Sequence, residues 1–75
     1  GQYIGLVDGN GEKIFEGDIL SVESSTHRYS VEFDAVDPSF IIRDCADRRF
    51  TTNIAVYDQN ELHRCGTIYD QEESA

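Results

Sequence analysis

Basic residues, cysteines and long apolar runs are all scarce in this 75-residue chain, and each shortage closes off a class of protein. Six lysines and arginines stand against fifteen aspartates and glutamates, for a formal net charge of −9. A field of that sign repels phosphate backbones at ordinary ionic strength, so direct nucleic-acid binding is disfavoured. Two cysteines, Cys45 and Cys65, are too few for the disulfide framework of a small secreted domain, and free thiols are expected. No apolar run approaches the ~20 residues of a membrane helix, and no charged-then-apolar leader is evident. The expectation is a soluble intracellular protein with no membrane partner.

Chemical motifs are equally sparse. There is no phosphate-binding loop, dinucleotide fingerprint or hydrolase elbow. Asp8, Asn10 and Glu12 repeat the first spacings of a calcium-binding EF-hand loop. The match then fails, because Lys13 sits where that loop needs glycine and Ile19 where it needs the closing glutamate. A tight turn explains these residues better. Glu16 and Asp18 form a carboxylate pair with no matching cluster elsewhere, which suits backbone capping more than acid–base work. His63 and Cys65 share a face if their segment is extended, yet no third orienting residue is evident for a nucleophilic dyad. His27, Cys45, His63 and Cys65 lack the paired spacing of a zinc site. No enzyme, no cofactor and no metal are expected.

What is present is a β pattern. Tyr29, Val31 and Phe33 alternate with Arg28, Ser30, Glu32 and Asp34, which predicts a half-buried strand. Residues 18–23 make its partner through the short connection Ser24-Ser25-Thr26. Pro38 breaks the pattern, and Phe40-Ile41-Ile42 restarts it. Asp44 through Arg48 makes a polar tip before a returning strand at Arg49-Phe50-Thr51-Thr52. Residues 53–60 fit either a strand or a helical turn. Residues 61–69 read as the last strand, in which Gly66 marks a bulge or a close backbone approach.

The densest signal lies at residues 2–19. Asn10-Gly11 is a strong turn between apolar pairs, and Glu16-Gly17-Asp18-Ile19 re-enters an extended strand. Gly11 suits a positive φ and Gly17 a kink between closely packed strands. Tyr3, Leu6, Ile14, Phe15 and Ile19 are the expected core. A chain this short buries only about 60% of its unfolded surface. Five or so short strands are therefore expected to curl into a small SH3-like barrel, with a β-sandwich or an α+β roll as alternatives. Residues 1–70 form one β domain in this reading, and 71–75 an acidic, frayed tail.

The run from Gln2 to Ile19 resembles the hallmark of the YopX family of small phage and prophage proteins, roughly Q-[YF]-T-G-L-x-D-x-N-G-x-x-I-[YF]-E-G-D-[IV]. Gly66-Thr67-Ile68-Tyr69-Asp70 is similar to its late G-N-I-[YF]-[ED]. Ile4 departs from the usual threonine, Thr67 from asparagine and Cys65 from an aliphatic residue. The resemblance implies a bacterial host cytoplasm and no established enzymatic activity.

Function is then expected through protein binding, with Asp8, Glu12, Glu16, Asp34, Asp37, Arg48 and Arg49 as the candidate contact residues. The sharper form is an acidic, nucleic-acid-mimicking inhibitor (anti-CRISPR-like) of a basic host nucleic-acid-handling protein. A homo-oligomeric structural module is the alternative. A single-stranded nucleic-acid-binding barrel comes third, since the aromatics favour it and the charge opposes it.

Overall fold

The computed structural model describes residues 1–67, whose regular structure is mostly β. The strands are β1 (Tyr3–Val7), β2 (Lys13–Phe15), β3 (Asp18–Val22), β4 (Arg28–Asp34), β5 (Ser39–Asp44), β6 (Thr51–Asn53) and β7 (Leu62–Thr67). The ambiguous stretch between β6 and β7 resolves into two 3-10 turns, Ile54–Val56 and Gln59–Glu61. Asn53 and Asp58 cap them, their side chains accepting the N–H groups of Ala55 and Asn60. The acidic tail at 71–75 and residues 68–70 of the late motif lie outside the described residues.

β1 and β2 form an antiparallel hairpin of their own. The other five strands make one antiparallel sheet in the order β6-β5-β4-β3-β7. Neither sheet closes, so the expected SH3-like barrel is not the architecture. The reason lies in how the edges are used. Both sides of β3 are taken by β4 and β7, so β2 cannot continue the ladder across the Glu16-Gly17 turn. On β7, Leu62 O accepts the Gly9 N–H, and the Arg64 N–H goes to the Asp8 side chain. A turn, instead of another strand, occupies that stretch of the sheet edge.

The hairpin is laid on one face of the sheet. Fully buried Ile14 joins Leu20, Val22, Tyr29, Val31, Ile42, Ile54 and Leu62 in the core, with Ile4, Leu6, Phe40 and Tyr57 packed around them. Strand alternation selects this set: Tyr29, Val31 and Phe33 pair directly with Asp44, Ile42 and Phe40 on the same face. Two expected core residues depart from it, Tyr3 being exposed and Phe15 only half-buried, and on the apolar face of β4 Phe33 remains 47% exposed at the strand end. Ile19 is buried but stands apart from the main cluster, since its neighbour Leu20 takes the core-facing position.

Gly11 and Gly17 take φ values of 80° and 93°, the left-handed conformation that their turns require and that a side chain resists. The expected irregularity at Gly66 is also present. The β3–β7 register shifts between Ile19 and Leu20, which face Gly66 and Arg64, so Cys65 is the extra residue.

Candidate interaction surface

The motif-bearing turn is organised by Asp8. Its Oδ1 accepts the N–H groups of Asn10 and Glu12, each at 2.9 Å, while its Oδ2 accepts the Arg64 N–H at 2.9 Å. The Gly11 N–H closes the turn on Asp8 O at 3.0 Å. With 4% exposure, Asp8 lies within the fold and presents no carboxylate to a partner. Gly9 sits so close to the Gln59–Glu61 turn and the start of β7 that a Cβ there would lie 2.7 Å from Asn60 O and 2.9 Å from His63 Cε1. Arg64 then reaches the next turn, where its Nε donates to Asp18 Oδ2 at 3.0 Å. That same oxygen accepts the Phe15 N–H at 2.8 Å, and Asp18 is 2% exposed. Glu12 lies 4.0 Å from the Arg64 guanidinium. Both signature turns are therefore pinned by one residue of β7. Sequence reading passed over Arg64, because a lone arginine in a strand carries no local pattern.

The expected arginine tip is largely neutralised. On the sheet face opposite the core, Glu32 binds Arg43 Nε at 2.9 Å and Arg48 Nη2 at 2.8 Å. Ser30 Oγ bridges Glu32 and Arg48, and Arg43 also donates to Arg48 O. Arg49 clips to Asp47 in its own loop at 3.1 Å. Exposed pairs of this kind contribute little to stability, but they cancel positive charge on the surface.

The remaining candidates gather near the β4–β5 turn. Asp34 and Asp37 bracket it, Asp34 Oδ1 accepting the Val36 N–H at 3.0 Å. Phe33 and Phe40 stack edge-on with ring centroids 5.2 Å apart, and Val36 is 96% exposed at the tip. Phe33 also lines an open groove of about 480 Å³ with Glu16, Gly17, Val31, Glu32 and Arg48. The structure thus brings Glu16 and Arg48 to the groove beside Phe33, while Asp34 and Asp37 lie in the adjoining turn. Glu12 stands at the other turn, and Arg49 in the β5–β6 loop.

The histidines and cysteines go separate ways. His63 Nε2 contacts Glu23 at 2.9 Å, and His27 Nδ1 contacts Asp44 at 2.5 Å. Both thiols are free. Burial, together with the Asp44 and Glu32 carboxylates, pushes Cys45 up against the opposing charge of Arg48.

Several carboxylates ionise below their usual range. Burial opposes this for Asp8, but the amides of Arg64, Glu12 and Asn10 outweigh it, helped by His63. Burial likewise opposes it for Glu32, and Arg43, Ser30 and Arg48 prevail. The bond from His27 leads at Asp44, reinforced by the Ala46 and Asp47 amides. A carboxylate depressed in the folded state adds stability above its unfolded pKa and loses it as pH falls through the folded value. Urea midpoints are therefore expected to hold from pH 7 to about 5 and fall steadily below about pH 4. The Asp8→Asn variant should show a shallower acid slope, and a slope equal to the parent's would refute the assignment to Asp8.

A small all-β protein whose two signature turns are locked to a distant strand is the class this geometry defines. A family model described as YopX protein matches residues 1–73, and the chain belongs to that family. Comparisons with curated proteins and with solved structures found no significant match.

Proposed function

We propose that this chain is a non-enzymatic accessory protein of a phage or prophage, acting in the bacterial host cytoplasm by binding another protein. The observation that carries the reading is Phe33, 47% exposed and stacked on the half-buried Phe40, with Glu16 beside it in the groove and Asp34 and Asp37 in the adjoining β4–β5 turn. Aromatic side chains left half-exposed beside a groove are the usual anchors of interfaces. The acidic border, in a chain of net charge −9, selects a basic partner. In its sharper form the partner is a host nucleic-acid-handling protein whose basic channel the acidic surface occupies.

A pull-down from host lysate tests this. Immobilised protein is expected to retain a basic, nucleic-acid-handling protein at low salt and release it at high salt. Phe33→Ser should weaken retention by about tenfold, the loss of one interface anchor. Recovery of no such protein at low salt sinks the reading. The open sheet supports a second reading, a homo-oligomeric module, since among the described residues β6 pairs with Ile41, Ile42 and Arg43 and leaves Ser39 and Phe40 of β5 without a strand on that side. Light scattering on the same sample decides it, a monomer counting against self-assembly.

A further inference from the structure

At the other end of β4, away from the Phe33–Phe40 surface, three rings and two carboxylates surround a smaller cavity. It measures about 280 Å³ and is lined by Ser25, His27, Tyr29, Asp44, Asp47 and Phe50. Tyr29 stands between its neighbours, with ring centroids 6.4 Å from His27 and 6.5 Å from Phe50. The assembly is held in place. Tyr29 is almost fully buried and its hydroxyl bonds Ser25 Oγ at 2.9 Å, while His27 is fixed by Asp44. Asp44 in turn accepts the N–H groups of Ala46 and Asp47, which shapes the loop carrying Phe50. Phe50 itself is 48% exposed. A half-exposed aromatic residue at the wall of a preformed slot is not needed for packing in the main cluster.

We propose that this slot is a binding site for a cationic side chain, arginine foremost, presented by a peptide segment. An aromatic wall attracts a cation through the negative face of its π-system, and a nearby carboxylate adds direct charge. Guanidinium suits such a place better than ammonium, because it is planar, weakly hydrated and stacks on rings. Asp47 supplies the accessible carboxylate, its side chain being half-exposed where that of Asp44 is buried. At present Arg49 of the same loop occupies Asp47, and the Arg49 side chain is itself almost fully exposed. Such a pair is cheaply exchanged, so an incoming arginine competes for Asp47 with this internal one.

The test is a nuclear magnetic resonance titration of the whole chain with acetyl-Gly-Arg-Gly-amide, its lysine counterpart and its citrulline counterpart. Citrulline keeps the shape and removes the charge. The arginine peptide is expected to shift the His27, Tyr29 and Phe50 ring signals with a dissociation constant on the order of millimolar, as one side chain provides. The lysine peptide should bind more weakly and the citrulline peptide should leave the rings unmoved. Phe50→Ala should weaken the arginine peptide about tenfold, and Asp47→Asn severalfold. Arg49→Ala should strengthen it severalfold by freeing Asp47, an effect that a purely structural role for the loop would not produce. Equal shifts from arginine and citrulline, or no ring shifts at all, overturn the site. This site is independent of the aromatic surface near Phe33. A failed titration beside a positive lysate capture discards the slot and leaves the protein-binding reading intact, whereas the opposite pair of results does the reverse.

Discussion

Replacing Asp8 with alanine is expected to lower the unfolding free energy by roughly 3 kcal/mol, a fall in melting temperature on the order of 15 °C for a domain of this size. Three backbone N–H groups, those of Asn10, Glu12 and Arg64, lose their charged acceptor together. The Arg64 amide is the one whose loss detaches the turn from β7. Asparagine at this position distinguishes the contributions. Its single carbonyl oxygen can still receive the two turn amides, but its NH₂ group would face the Arg64 N–H, donor against donor. Asp8→Asn should therefore retain part of the stability that Asp8→Ala loses. Thermal unfolding followed by far-ultraviolet circular dichroism provides the measurement. Indistinguishable melting of parent and Asp8→Ala would show that the turn holds itself without the carboxylate.

The second large effect concerns Arg64. Changing it to methionine keeps much of the aliphatic stem and removes the guanidinium from Asp18. Asp18 is then left as a nearly inaccessible carboxylate that keeps the Phe15 N–H but has lost its cation. Breaking a buried pair from one side is costly, at about 3–5 kcal/mol. A third of the Arg64 side chain reaches solvent, which softens the loss to about 2–3 kcal/mol. The decisive comparison is the double variant. Adding Asp18→Asn to Arg64→Met removes the orphaned charge, while an amide oxygen can still accept the Phe15 N–H. The double variant should thus be more stable than Arg64→Met alone in urea titrations. If the second substitution instead adds its full cost, the pair is incidental.

These two residues show what the sequence displayed and what it concealed. Turn chemistry was legible. Asn10-Gly11 and Gly17 carried their conformations in their residue types, and the β4 alternation put Tyr29 and Val31 inside. The connection after β3 and the β5–β6 return were legible for the same reason, being set by neighbours in the chain. Closure was not. Whether strands seal into a barrel depends on what meets the outer edge of β7, and that is decided by Gly9 and Asp8, more than fifty residues upstream. Asp8 read as a surface carboxylate because its turn bonds are local and its third partner is not. Arg64 carried no motif, since both its partners lie in distant turns. Phe33 satisfied the alternation but lies where the strand runs on beyond the core cluster. Among the contact candidates, Asp37 is exposed and Glu16 and Asp34 are half-buried, while Arg48 is drawn into a network with Glu32 that composition could not reveal.

Asp8 and Arg64 stand 56 positions apart, and this separation bears on how the protein comes into being. The β1–β2 hairpin leaves the ribosome before β7, with its organising carboxylate still lacking the amide that fastens it. That amide arrives only when β7 clears the exit tunnel. A nascent chain halted before residue 64 should keep the Asp8 turn protease-sensitive, and the hairpin should fasten to the sheet only once β7 has been made.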